Sequence, residues 1–113
     1  MAQIGKEPVF FRRNRVFRVY QGGALFHDLM GDAKEDNYYP EEWIASAVRA
    51  MNEGHDDPLE GVSIAEDGTP FSQLLEQYPR EMLGDRESLG VLVKFLDSAI
   101  RLPMQAHPTR AFS

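Results

Sequence analysis

The chain has 113 residues, 42% hydrophobic and 27% charged, the balance of one globular domain and not of a disordered segment. A net charge of −6 argues against a nucleic-acid-binding face, and the absence of cysteine excludes disulfides, thiolate metal ligands and a thiol nucleophile. The opening "MAQIGKEPVFF" lacks the apolar core of a signal peptide and no run reaches membrane-spanning length, so the expectation is a cytoplasmic protein with no membrane partner.

Residues 8–20, "PVFFRRNRVFRVY", interleave aromatic and β-branched residues with arginine, which predicts two short extended pieces around a turn at "RRNR". "QGG" is a break. Residues 24–31, "ALFHDLMG", place Leu25, Leu29 and Met30 at helical spacing with Gly31 as a stop. A polar loop, "DAKEDNYY", leads into "PEEWIASAVRAM". The alanines and Pro-Glu-Glu opening there favour a helix, whereas the alternation of Ile44, Ser46 and Val48 suits a strand.

Residues 52–61 are turn-rich and acidic, the composition of a surface loop. "VSIAEDG" reads as a short strand closed by an Asp-Gly turn. Thr69 then caps a helix opened by Pro70, with Phe71, Leu74, Leu75 and Tyr78 along one face. "PREMLG" is a second short helix ending at Gly84. Two strand candidates follow, "GVLVKFLDSA" and "RLPMQAH", joined through "SAIR". The expectation is one domain over residues 1–113, mainly β, with a helical insert around 69–84.

On a strand, Gln105 and His107 share one face. An imidazole is the commonest metal ligand and an amide oxygen a weaker one, but spacing alone favours a histidine satisfied by hydrogen bonds in a core over a ligand pair. Lys94 by itself reads as an outward residue on an edge strand, and Trp43 as a core anchor. The arginines at 12, 13, 15 and 18 suit a phosphate or, more simply, pairing with the many acids. His27 and His55 read as solvated surface residues, and the acidic run "EGHDD" as a solvated loop.

The stretch "VLVKFLDSAIRLPMQAHPT" resembles the metal-binding signature of type I mannose-6-phosphate isomerases, zinc-dependent cupins with a Gln-x-His-Pro strand after a Leu-x-Lys-x-Leu strand. "PEEWIASA" is similar to the family's Glu-x-Trp segment through Glu41 and Trp43. The resemblance implies the N-terminal portion of a cupin-type β-jelly roll, in which "WIASAVRA" is extended despite its alanines. It implies zinc held by Gln105 and His107, with Lys94 in the substrate cavity as a catalytic and sugar-phosphate-binding residue. Glu41 becomes an active-site carboxylate. The implied reaction interconverts mannose 6-phosphate and fructose 6-phosphate by moving a proton between C1 and C2, with zinc polarising the carbonyl.

Phe17 stands where the family usually has tryptophan, Pro103 where serine is frequent, and Thr109 where an acid or amide follows His-Pro. These departures point to a divergent branch. The family's remaining metal-binding Glu and His and its arginine lie after the Gln-x-His strand, where this chain has only "PTRAFS". A catalytic zinc takes three or four protein ligands. The expectation is therefore an incomplete site, inactive without the remainder of the polypeptide. Two other classes remain: a non-catalytic cupin-like remnant or interaction module, and a different metal-dependent cupin, acting on another sugar or, with iron, as an oxygenase.

Overall fold

The structure, a computed structural model, describes residues 4–104. Its elements in chain order are β1 (Arg15–Val16), α1 (Phe26–Met30), β2 (Glu41–Ile44), α2 (Phe71–Gln77), α3 (Pro79–Leu83) and β3 (Val93–Leu96). The three strands form one antiparallel sheet in the order β1-β2-β3. The register sets Val16 opposite Glu41 on one side, and Leu96, Phe95, Lys94 and Val93 opposite Glu41, Glu42, Trp43 and Ile44 on the other. Much of the remaining chain is irregular. The described residues form a mixed, mostly non-helical fold, and none of their helices is long and apolar enough to cross a membrane.

The "RRNR" turn does not form. The chain runs on from Phe11, which bridges Ala65, directly into β1. Asn14 is the reason. Its side-chain amide donates to the carbonyls of Gly61 at 2.8 Å and Trp43 at 3.3 Å, and its own carbonyl accepts from Trp43 N–H at 3.1 Å. An amide so engaged splices two neighbouring segments together, leaving no local pairing for a turn to close.

β2 settles the ambiguous stretch only in part. It is extended through Ile44, and residues 44–50 form no helix, but the expected long strand stops there. Ala45 takes a left-handed conformation, φ 45°, and Ser46 leaves the ladder to exchange hydrogen bonds of 2.8 Å with the backbone and hydroxyl of Ser63. Across this bend Trp43 before it and Ala50 after it pack with Val16, and Leu92 closes against them.

α1 ends where Gly31 takes φ 74° and returns its N–H to His27. Its buried residue is Phe26, whose ring lies 4.0 Å beneath the Arg15 guanidinium, while Leu25 and Leu29 stay exposed. α2 buries Phe71 and Leu74, with Leu75 half-buried, and Phe11 meets Phe71 edge-on at 5.0 Å. Thr69 does not cap it. The N-cap is Pro70, without a side-chain bond, because Thr69 is held in the Asp-Gly turn: its N–H donates to Asp67 at 3.0 Å and its carbonyl accepts from Ala65. The "VSIAEDG" stretch makes only isolated bridges, Ile64 to Pro70 and Ala65 to Phe11.

β3 runs straight into a tight crossing. A Cβ added at Gly22 would lie 1.7 Å from the Asp97 carbonyl oxygen, so only glycine fits there. The Asp97 carboxylate accepts from the N–H groups of Gly23 and Leu25 at 3.1 and 2.8 Å, lashing the end of β3 to the entry of α1. The Ser98 hydroxyl then turns the chain by bonding Ile100. Residues 101–104 carry no strand, which corrects the first half of the "RLPMQAH" expectation. Pro103, lacking an N–H, has nothing to donate to a ladder. Gln105 and His107 lie outside the described residues.

Candidate functional site

Alternation along β2 sends Glu41 and Trp43 to one face and Glu42 and Ile44 to the other. On the first face, Val16 from β1 and Lys94 and Leu96 from β3 flank Glu41 and Trp43. Past β1 the same alternation continues through Arg18 and Tyr20, while the intervening Val19 points to solvent. Arg18, Tyr20, Glu41, Lys94, Leu96 and Leu102 line a pocket of about 290 Å³.

Glu41 is its centre and is only 3% exposed. One carboxylate oxygen accepts from Trp43 Nε1 at 2.9 Å and from Lys94 Nζ at 3.4 Å. The other accepts from the Tyr20 hydroxyl at 2.5 Å and faces Arg18 Nε at 3.3 Å. Burial pushes the Glu41 carboxyl up, but the hydrogen bonds from Tyr20 and Trp43 and the charges of Arg18 and Lys94 outweigh it, so the group lies below the ordinary carboxylate value. Tyr20 moves the opposite way. Burial raises it first, and the bond to the Glu41 anion and that anion's charge raise it further, against a smaller lowering by Arg18.

Lys94 stands on the edge strand, as its composition suggested, yet it does not simply point outward. Its side chain keeps 35% of its surface and turns to Glu41, with Nζ 5.7 Å from the Trp43 ring centre. Glu41 and Lys94, singled out in stretches 53 residues apart, therefore meet in one pocket. Trp43 is core, as expected. Two cations against one carboxylate leave the pocket with an excess of positive charge, suited to an anion.

The arginines pair with acids: Arg13 with Asp32, Arg15 with Asp32 and Glu42, Arg18 with Glu41. Arg12 donates to the Glu66 carbonyl. His27 is exposed beside Asp28. His55 departs from the solvated-surface expectation. Its ring stacks on Phe17 with centroids 4.7 Å apart, and Nδ1 lies 2.9 Å from Glu60. Tyr20 was not singled out. The signal was present, since Arg18 and Tyr20 continue the period-two alternation that follows Val16.

Among the described residues no group of three or more His, Asp or Glu is arranged to hold a metal ion. Glu41 is a poor ligand: all its donors are already in place and two of them are cations. The described residues thus do not make a zinc site, and the two expected ligands, Gln105 and His107, lie beyond them. No family model, curated protein or solved structure matches this chain.

Proposed function

We propose that the chain belongs to a zinc-dependent aldose–ketose isomerase of the mannose-6-phosphate isomerase type, with the cupin jelly roll that this implies. One observation carries the reading: Lys94 Nζ lies 3.4 Å from Glu41 Oε1 across adjacent strands, in a pocket that Arg18 and Tyr20 complete. Both residues were selected by the resemblance alone, and nothing in their spacing required them to meet.

In this reading Lys94 binds the phosphate or hydroxyls of the sugar phosphate, and its half-exposed ammonium is free to leave Glu41 for an anionic ligand. Glu41 is the positioning carboxylate. It stays ionised at neutral pH and holds Lys94, Arg18, Tyr20 and Trp43 in place, so the cavity keeps its charge as ligand enters. Gln105 and His107 would hold zinc, which supplies carbonyl polarisation when bound. Leu102, three residues before Gln105, already lines the pocket. Two neutral ligands fall short of the three or four that a catalytic zinc takes, so in this reading these residues alone make only part of a centre.

The test is calorimetric. Mannose 6-phosphate should bind the purified chain with a dissociation constant of about 1 mM, and Lys94→Ala should weaken it roughly ten-fold. Unphosphorylated mannose binding as well, or a Lys94→Ala variant binding as wild type, overturns the assignment. With added zinc, the 113 residues alone should show no fructose 6-phosphate formation. Turnover of roughly 1–1000 per second would refute the incomplete site.

A further inference from the structure

Arg18 is held differently from the arginines that precede it. Arg13 pairs with Asp32, and Arg15 is gripped by two carboxylates, Asp32 and Glu42. Arg18 has Glu41 at 3.3 Å from Nε, and it shares that carboxylate with Lys94. On its other side Nη1 donates to the Asn52 amide oxygen at 3.3 Å. The guanidinium carbon lies 5.4 Å from the centre of the Trp43 ring, and the Arg18 backbone N–H donates to the Tyr38 carbonyl at 3.0 Å. The group is thus fixed at several points but not neutralised, because one carboxylate serves two cations. Nη2, with two N–H donors, bonds none of the described residues, on a side chain that lines the cavity.

Asn52 is matched to its place by chemistry. Arg18 can only donate and the Glu60 carboxylate can only accept, and an amide is the neutral side chain that meets both at once. Its Nδ2 donates to Glu60 at 2.9 Å while its Oδ1 takes the arginine. Glu60 is anchored in turn. His55 Nδ1 lies 2.9 Å from it, its carbonyl accepts from the Ala50 N–H at 2.7 Å, and its N–H donates to the Asp57 carbonyl at 3.2 Å. The Asn52 carbonyl accepts the His55 N–H at 3.1 Å. The neck of this loop is tight: a Cβ at Gly61, φ 83°, would lie 2.8 Å from the Ala50 nitrogen and 2.9 Å from the Trp43 ring. Residues 52–60, a solvated acidic loop by composition, therefore reach the pocket's second cation through a single hydrogen bond.

We propose that Arg18 binds the anion of the Glu41 pocket alongside Lys94, and that Asn52 is the positioning residue that presents it. Both roles rest on reading that pocket as an anion site. A carboxylate in place of Asn52 would fix the guanidinium and cancel its charge, and an apolar side chain would leave it loose. The amide fixes it and keeps its charge for the ligand. A planar guanidinium offers paired N–H donors to two oxygens of a phosphate, where Lys94 acts as a point charge, so the group recognised is a phosphomonoester.

A double-mutant cycle tests this, with mannose 6-phosphate and inorganic phosphate titrated calorimetrically into the purified chain. Arg18→Ala should weaken mannose 6-phosphate about ten-fold and Asn52→Ala about three-fold. Because Asn52 acts through Arg18, the double variant should bind as Arg18→Ala does, whereas a merely structural loop would add its own loss. Should Arg18→Ala unfold the chain by stranding Glu41, Arg18→Lys supplies the second background. It keeps a cation beside Glu41 but has no fork for Asn52 to hold, and there Asn52→Ala should cost less than about two-fold. Wild-type affinity in Asn52→Ala, or an equal Asn52→Ala penalty with and without Arg18, overturns the proposal. Inorganic phosphate separates it from the isomerase reading. If phosphate binds with the same dependence on Arg18 and Asn52 while mannose 6-phosphate does not bind, the isomerase reading falls and the roles of Arg18 and Asn52 stand. If neither anion binds at about 50 mM, both fall.

Discussion

Glu41 is a buried charge whose worth depends on its donors. Because its folded pKa is depressed, its contribution is fully present above the unfolded value near 4.5 and is lost as pH falls through the lower folded value. The acid limb of the stability curve should therefore begin at about pH 5 and should flatten in Glu41→Gln. At neutral pH that substitution should cost about 1–3 kcal/mol, read from urea midpoints, because the new amide N–H₂ faces groups that themselves donate. The magnitude is held down by the partly exposed side chains of Arg18 and Lys94. Trp43 was legible as core through its size, while Glu41 and Lys94 stood out only through a resemblance, and what the structure adds is that they lie 3.4 Å apart. The donors around Glu41 were not. A hydroxyl finds its carboxylate through the path of the chain between β1 and β2, and no local spacing records that path.

β2 shows where propensity stops and tertiary contacts take over. "PEEWIASAVRAM" carried both helical and extended signals, and its fate turns on Ala45. A left-handed alanine is unfavourable by about 1–2 kcal/mol, and it persists because the Ser46–Ser63 exchange and the Asn14 bonds hold both sides of the bend. Ala45→Gly should remove that strain and raise stability by about 0.5–1 kcal/mol after the added freedom of the unfolded chain is counted, as thermal or urea unfolding would show. A loss of stability would mean that the Ala45 methyl contributes packing that outweighs its backbone. The helices were easier to read. Pro70, Pro79, Gly31 and Gly84 act on their own neighbours, so their signals survive without knowledge of the fold. Thr69 misled for the converse reason, since the Asp67 turn claimed it first.

Across the whole molecule, β3 presents its open edge with Val93, Phe95 and Leu96 exposed, Val91 exposed just before it, and Leu25 and Leu29 beside it. Alternation predicted strands in this part of the chain but could not say that this one would have a neighbour on one side only among the described residues. An apolar, unpaired edge recruits further strands. The purified chain should self-associate with rising concentration, and Val93→Lys should shift sedimentation toward the monomer without changing the unfolding free energy by more than about 0.5 kcal/mol. Unchanged sedimentation would place the association elsewhere.

Trp43 is the one tryptophan of the sequence, and it is 3% exposed with its indole N–H on Glu41. Arg18 and Lys94 sit 5.4 and 5.7 Å from its ring centre. The protein thus carries its own optical gauge in the core just behind the Glu41 pocket, one hydrogen bond from its central carboxylate. Any anion that draws Lys94 away changes the field across the indole, so occupancy is readable as a shift in emission wavelength with no label attached.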